Sequence, residues 1–489
     1  MNITASKIYD YIKCPHKVWR DIYGPQDEKI KEANPFVQLL WDRGVLHEAD
    51  IIKKIGKVVD ISKGSLEERE VQTTKAMKAG ELLIYQGVIK YKELLGIPDL
   101  LQKMPNGFYV PLDIKSGSGM EGADEDFGEE GKPKKHYALQ LCLYSEALIG
   151  AGFAKERKGF VIDIDGKTIE YNLEPWWDIY QQTKNEVQNL MEGRVKNKPA
   201  YGGICKLCPW YKSCKKWCQD TNDLSNIFYL GRSKRDLMNE ELGIQSVEQL
   251  SKLQLEEIIK RKKQDKSFLK GFGEKTVEKL IKRADLLTNV KKPVIYNKVN
   301  FPEVAYELFF DIEDDPTRDF VYMHGVYERH NGKERFVPFV AKDYTIGSEK
   351  DAWAEFWKYI NSLPKDDFSV YYYSQHEKST YKRMQSRYPD VISLQQVENF
   401  FALPNVIDLY KIIFKDTDWP LGSYSLKDIA IYLGFKWRDE TPSGALSIEW
   451  FNKYLESKDP KELERILLYN EDDCKATATI KDFLSDNSK

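Results

Sequence analysis

Apolar and polar residues alternate with period two at several places along the chain, and each alternation predicts a strand whose two faces differ. In VPLDIKSG, Val110, Leu112 and Ile114 share one face, while Asp113 and Lys115 share the other. In VAYELFFDIEDD, Leu308, Phe310 and Ile312 point one way and Phe309, Asp311 and Glu313 the other. KGFVIDIDGKTIEYNL and DFVYMHGVYERHNGKERFVPFVA read as further strands. Spacings of three and four predict helices over LQLCLYSEAL, over much of 223–295, and over ILLYNEDDCKATATI near the end. This mixture predicts an α/β multidomain protein in three segments: 1–220, a helical 221–295, and a second α/β unit at 296–489. No internal repeat is visible. The stretch SGSGMEGADEDFGEEGKPKK has no apolar period and several breakers, so it predicts a loop.

Composition narrows the class. At 489 residues the chain exceeds what one core supports, and 42% apolar residues suffice for two or three cores. No run of about 18 uncharged apolar residues occurs, and MNITASKIYDYIKC lacks the basic and apolar regions of a signal peptide. A cytoplasmic protein with no membrane partner is the expectation. Seven cysteines in a reducing compartment then point to metal or cluster ligation more than to disulfides. Net charge is only -3, so affinity for nucleic acid has to come from local patches. Residues 251–292 form one, with 13 Lys and Arg against 6 Asp and Glu.

The first candidate chemistry lies between Cys14 and the group Cys205, Cys208 and Cys214. Asp113 and Lys115 stand at i and i+2 on one strand face, and Asp99 follows a turn in GIPDLL, where it can meet Asp113 across neighbouring strands. Two such carboxylates hold Mg²⁺ or Mn²⁺ through hard oxygens. A lysine beside them orients the attacking water and stabilises charge growing on a phosphate. His47, one helical turn after Arg43, offers a further ligand that favours manganese. Gln140 and Tyr144, at i and i+4 of a helix, face a substrate together.

In order, these motifs read G-x-x-H, G-x-x-D, D-x-K and Q-x-x-x-Y, flanked by C and C-x-x-C-x5-C. Residues 1–220 thereby resemble the RecB-like branch of the PD-(D/E)XK nucleases, specifically the CRISPR-associated iron-sulfur exonucleases. The resemblance implies a restriction-endonuclease-like core. It implies a 4Fe-4S cluster on Cys14, Cys205, Cys208 and Cys214, metal ligation by His47, Asp99 and Asp113, and Lys115 as the catalytic lysine. Asp113 stands where many relatives have Glu. A zinc knuckle on Cys205, Cys208, Cys214 and Cys218 is the alternative, since four thiolates suit Zn²⁺. Cys142 and Cys474 read as helix residues without a ligand role.

In the middle segment Gly271 and Gly273 precede a helix carrying Val277, Leu280 and Ile281, and free backbone N–H groups there can meet a phosphate. With LGIQSVEQLSKL, the segment resembles a helix-hairpin-helix DNA-binding domain. Farther on, Asp311 and Glu313 at i and i+2 suit a pair of metal ions, and Tyr469 and Asp473 at i and i+4 bring a phenol beside a carboxylate. D-x-E with a distant Y-x3-D resembles the DEDDy 3'-5' exonucleases of the RNase H-like superfamily. Glu377 is the expected second acid of that set, and Asp408 a secondary candidate that orients neighbours.

The whole layout resembles a family of RecB-like putative nucleases. It implies two metal-dependent sites hydrolysing DNA phosphodiesters, in single strands or at ends. A helicase or another DNA-processing protein is the kind of partner such a layout suits. A nucleic-acid-binding scaffold with inactive sites and a zinc-stapled, RNA-directed nuclease remain alternatives. The acids Glu121, Asp124, Glu125, Asp126, Glu129 and Glu130 are expected to repel phosphate beside the first site and limit access to thin single strands.

Overall fold

A computed structural model describes residues 1–31, 34–121 and 132–487. The acidic stretch from Asp124 to Glu130 lies outside the described residues. The chain divides into two compact units, one of residues 1–199 and 203–214, the other of 200–202 and 215–489. Cys14, Cys205, Cys208 and Cys214 fall in the first unit and Cys218 in the second. The helical segment expected to stand apart belongs to the second unit, although it has an apolar core of its own.

The first unit opens with helices α1 (Ala5–Lys13), α2 (Pro15–Tyr23) and α3 (Pro35–Ile55). Strand β1 (Val59–Asp60) and helix α4 (Leu66–Ala79) follow, then strands β2 (Leu83–Tyr85), β3 (Leu100–Lys103) and β4 (Tyr109–Ile114). Helix α5 (Lys135–Gly150), strands β5 (Lys158–Ile162) and β6 (Thr168–Asn172) and helix α6 (Trp177–Met191) complete it. The six strands form one sheet in the order β6-β5-β4-β3-β2-β1. Its centre, β4, pairs parallel with β5 and antiparallel with β3. All six β4 residues are buried, because both sheet faces are covered. Val110, Leu112 and Ile114 pack with Ile51 of α3, while Tyr109 joins the core built on α5. The face that carries Asp113 is thus the α5 face.

The second unit begins within α7 (Tyr211–Asp220) and continues through four helices, α8 (Gly231–Leu242), α9 (Val247–Ser251), α10 (Leu255–Gln264) and α11 (Glu274–Asp285). Val277 and Leu280 are buried in their shared core, as the helical spacing predicts, with Ile281 partly buried against it. Strands β7 (Tyr306–Asp315), β8 (Phe320–His330), β9 (Lys333–Val340), β10 (Phe368–Tyr372) and β11 (Val406–Asp408) then form a five-stranded sheet ordered β9-β8-β7-β10-β11. The first three are antiparallel, and β10 and β11 run parallel to β7. Helices α12 (Ile346–Ser362), α13 (His376–Arg387) and α14 (Leu394–Ala402) pack with Leu308, Phe310 and Ile312 on one face. Helices α15 (Leu409–Asp416), α16 (Leu426–Tyr432), α17 (Gly444–Ser457) and α18 (Pro460–Asn487) follow in the chain. Residues of α15, α16 and α18 pack with Phe309 and Tyr371 on the other face.

Candidate active site

Two groups of acidic side chains draw together, one in each unit, and that of the second unit is the more compact. Alternation along β7 aims Asp311 and Glu313 at the α18 face, and helical spacing brings Asp473 down on them. Single ligand atoms of these three residues lie within 4.8 Å of one another. The packing that permits this is unusually close. Asn470 lies one turn before Cys474 on α18, and its Nδ2 donates to Asp311 Oδ2 at 2.7 Å and to Glu313 Oε1 at 3.3 Å. Gly325 is the β8 partner of Asp311, and a Cβ there would fall 1.7 Å from the Asn470 oxygen. Glycine is required by that approach, not by its backbone angles.

Burial first, and then repulsion from Asp473, Glu313 and Glu377, holds the Asp311 carboxyl well above its usual range. Burial and Asp473 likewise push Glu313 up to about 8. Asp473 is raised chiefly by burial, opposed by the Lys427 ammonium and by the Trp437 indole, whose Nε1 donates to Asp473 Oδ1 at 2.6 Å. Lys427 Nζ also donates to the Tyr469 hydroxyl at 2.9 Å and to the Pro442 carbonyl at 2.8 Å. Tyr469 itself is buried, and burial followed by Asp473 drives its ionisation far out of reach at neutral pH. Three carboxylates that resist sharing negative charge, Glu313 and Asp473 buried and Asp311 half-buried, form a donor set of hard oxygens, which fits Mg²⁺ or Mn²⁺.

Glu377 lies in the first turn of α13, buried, accepting from Ser374 Oγ at 3.3 Å, and burial raises it to about 7. It is close enough to raise Asp311, yet stands outside the three-residue cluster. Asp408 caps α15 by accepting from Lys411 N and takes a hydrogen bond from Gln375 Nε2 at 2.9 Å. Those partners match an orienting role. Lys427, Trp437 and Asn470 escaped the sequence reading. Only Asn470 left a local signal, three residues before Asp473 on the same helical face.

Residues 308–485 match a family model described as the RNase H superfamily. The chain carries an RNase H-like domain. The order β9-β8-β7-β10-β11, with three antiparallel strands first and the acids on the central one, agrees with that match. A domain of this superfamily with a convergent acidic triad suggests a metal-dependent nuclease with a nucleic acid as substrate. No curated protein matches the chain. Among the described residues, no helix is long and apolar enough to cross a membrane.

In the first unit Asp99 and Asp113 are brought together as the strand pattern predicts, whereas ligand atoms of His47, Asp99 and Asp113 do not converge within 4.8 Å of one another. Leu100 pairs with Leu112, which sets Asp99 opposite Asp113 one step along the β3–β4 ladder. Asp99 Oδ2 accepts from Ile114 N at 2.7 Å, and Oδ1 from Gln86 Nε2 at 3.2 Å. Burial, then Asp113, raises Asp99 to about 8. Lys115 Nζ pairs with the buried Asp113 Oδ2 at 2.8 Å. Burial opposes the Lys115 charge, and the carboxylates of Asp113 and Asp99 outweigh it, holding the ammonium above its usual range. Two carboxylates facing each other, with the Asp99 carboxyl raised by burial and by Asp113, offer hard oxygens that fit a divalent cation.

Tyr144 is buried within the field of both acids, and Gly96 leaves room for its ring, which a Cβ at that position would meet at 2.7 Å. Gln140, one turn earlier on α5, is half-buried. His47 Nε2 meets the Asp163 carbonyl at 3.1 Å, so a ligating His47 must use Nδ1 or release that bond. Its neighbour Glu48 was missed. Glu48 Oε1 accepts from Tyr85 OH and from Gln86 Nε2, both at 2.9 Å, and its charge helps raise Asp99. Gln86 holds a positive φ of 55° while bridging Glu48 and Asp99, a strain placed at the cluster.

Cys14 joins α1 to α2 in extended conformation. Trp210 docks the Cys205–Cys214 turn on α2, stacking under Arg20 at 4.4 Å and donating to Asp21 at 2.9 Å. Cys14, Cys205 and Cys208 act on Cys214, which burial and these thiols push to about 12, and burial similarly lifts Cys208 to about 11. Cys218 accepts instead from Ser225 Oγ at 3.6 Å. No three thiols among the described residues converge within 4.8 Å. In the middle segment Gly271 has a φ of +88° with open space where a Cβ would be, and Gly273 is the N-cap residue of α11. Lys262, Lys279 and Arg283 of the basic stretch are engaged with carbonyls, so they serve the fold rather than a phosphate.

Proposed function

We propose that the second unit is a DEDDy-type 3'-5' exonuclease acting on DNA, with Asp311, Glu313, Glu377 and Asp473 as metal ligands and Tyr469 beside them. The convergence of Asp311, Glu313 and Asp473 carries this reading. Bound divalent cations supply a Lewis acid and a polarised water in such a site. The residues supply the rest. Asn470 keeps the two β7 carboxylates in register, and Trp437 fixes the orientation of Asp473. Tyr469 stays protonated, accepts from Lys427 and bonds to Asp473, so its hydroxyl orients a water rather than removing a proton from it. Lys427 also offers a positive charge to a phosphate oxygen.

For the first unit we propose a second metal-dependent nuclease of the PD-(D/E)XK kind, with Asp99, Asp113 and His47 as ligands and Lys115 as the catalytic lysine. The raised Asp99 carboxyl opposite Asp113, with Lys115 paired to Asp113, supports it. The four thiols of Cys14, Cys205, Cys208 and Cys214 are proposed as ligands of a 4Fe-4S cluster. The charges of Cys14, Cys205 and Cys208, which all act on Cys214, support one group shared by these four thiols. The helical segment at 221–295, with Gly271 and Gly273, is proposed to grip the DNA backbone.

Mg²⁺-dependent degradation of end-labelled single-stranded DNA and RNA by Asp473→Asn, Asp113→Asn and the double variant tests these readings. Each single variant is expected to lose one activity. Unchanged cleavage in the double variant removes both sites, and preferential RNA cleavage removes the DNA assignment.

A further inference from the structure

Beside the first acidic cluster lies a group of aromatic and basic side chains of which the proposed chemistry uses only Lys115. Tyr9 of α1 meets His136 edge-on at 5.4 Å between ring centroids, and His136 meets Tyr137 at 4.4 Å, both in the first turn of α5. Around the three rings stand three lysines. Lys13 Nζ is 5.5 Å from the Tyr9 ring, and Lys134 and Lys115 are 5.5 and 5.4 Å from the Tyr137 ring. All three rings are half-buried, so each has a fixed base and an accessible part. Burial and these lysines together push His136 down to about 4, which leaves it a neutral ring at physiological pH.

Interleaved aromatic rings and cationic groups are the composition that holds unpaired nucleotides, because every base has a face to stack and every linkage a phosphate to neutralise. A base paired in a duplex offers no free face. Lys115 ties the group to the reaction: the same ammonium lies 2.8 Å from Asp113 Oδ2 and over Tyr137. We infer that Tyr9, His136 and Tyr137, with Lys13 and Lys134, form a stacking subsite that seats an unpaired nucleotide next to the phosphodiester held at Asp113 and Lys115. This rests on the first unit being a nuclease. It adds to that reading how a single strand is chosen over a duplex.

The test uses the full chain in EDTA, where neither site cleaves, and an oligothymidylate carrying one 5-iodouracil. After irradiation, crosslinks are expected on the tryptic peptides 8–13 and 136–155. Tyr9→Ala and Tyr137→Ala should lower their yield at least about 5-fold, while Tyr137→Trp, which keeps a ring, should retain it. Unlabelled single strand should compete at least about 10-fold better than blunt duplex. Crosslinks confined to other peptides, yields untouched by both alanine variants, or equal competition by duplex overturn the subsite. Separately, undiminished cleavage by Asp113→Asn combined with Asp473→Asn overturns the nuclease reading beneath it.

Discussion

Raised carboxyl groups make a pH prediction at the scale of single residues. Glu313 at about 8 and Glu377 at about 7, against an ordinary value of 4.5, bind protons more tightly in the folded than in the unfolded chain. Their contribution to stability is therefore intact below about pH 4.5 and lost as pH climbs toward 8. Without divalent metal, the melting temperature should fall across that window, and Mg²⁺ or Mn²⁺ should restore more at pH 8 than at pH 5.5. Proton release on binding, read by calorimetry in two buffers, should reach about one per site. A metal-independent, flat profile contradicts the acidic-site account. Asn470→Ala should weaken Mn²⁺ binding about 10–100-fold by freeing Asp311 and Glu313, measurable by electron paramagnetic resonance. Glu377→Gln should cut cleavage about 100-fold. Asp408→Ala, which removes a helix cap, should instead lower stability by about 1 kcal/mol with cleavage nearly intact.

Among the elements, α11 turns one cation of its basic stretch into the fold. Arg283 is buried, and its Nε donates to Asp418 Oδ1 at 2.6 Å, with Tyr296 OH on the other carboxylate oxygen at 2.9 Å. Arg283→Ala leaves Asp418 buried and unpaired, so chemical denaturation should show a loss of about 3–5 kcal/mol. A change below about 1 kcal/mol would mean that the pair is solvated. The elements themselves were legible. Alternation located β4 and β7 and the faces bearing Asp113 and Asp311, and the i, i+4 rule paired Tyr469 with Asp473. What alternation cannot convey is which distant residue meets that face. Lys427 and Trp437 reach Asp473 from residues far along the chain, and Glu48 and Gln86 reach Asp99 through a left-handed turn at a residue that is not glycine. None of these has a period to read.

For the whole molecule, the division at 199–215 separates the two candidate chemistries, and the cysteines Cys14, Cys205, Cys208 and Cys214 fall on one side of it. Cys208→Ser should lower only one of two calorimetric transitions and leave cleavage at the RNase H-like site unchanged; a uniform loss would show that the thiols serve both units. The central claim is that Asp311, Glu313 and Asp473 form a divalent-metal nuclease site. Its most direct test places Asp473→Asn in a Lys115→Ala background, which removes the other lysine-dependent chemistry, and follows Mg²⁺-dependent shortening of 5'-labelled single-stranded DNA. The account predicts a ladder receding from the 3' end in Lys115→Ala and its loss by at least about 1,000-fold when Asp473→Asn is added. An undiminished ladder in the double variant would contradict it.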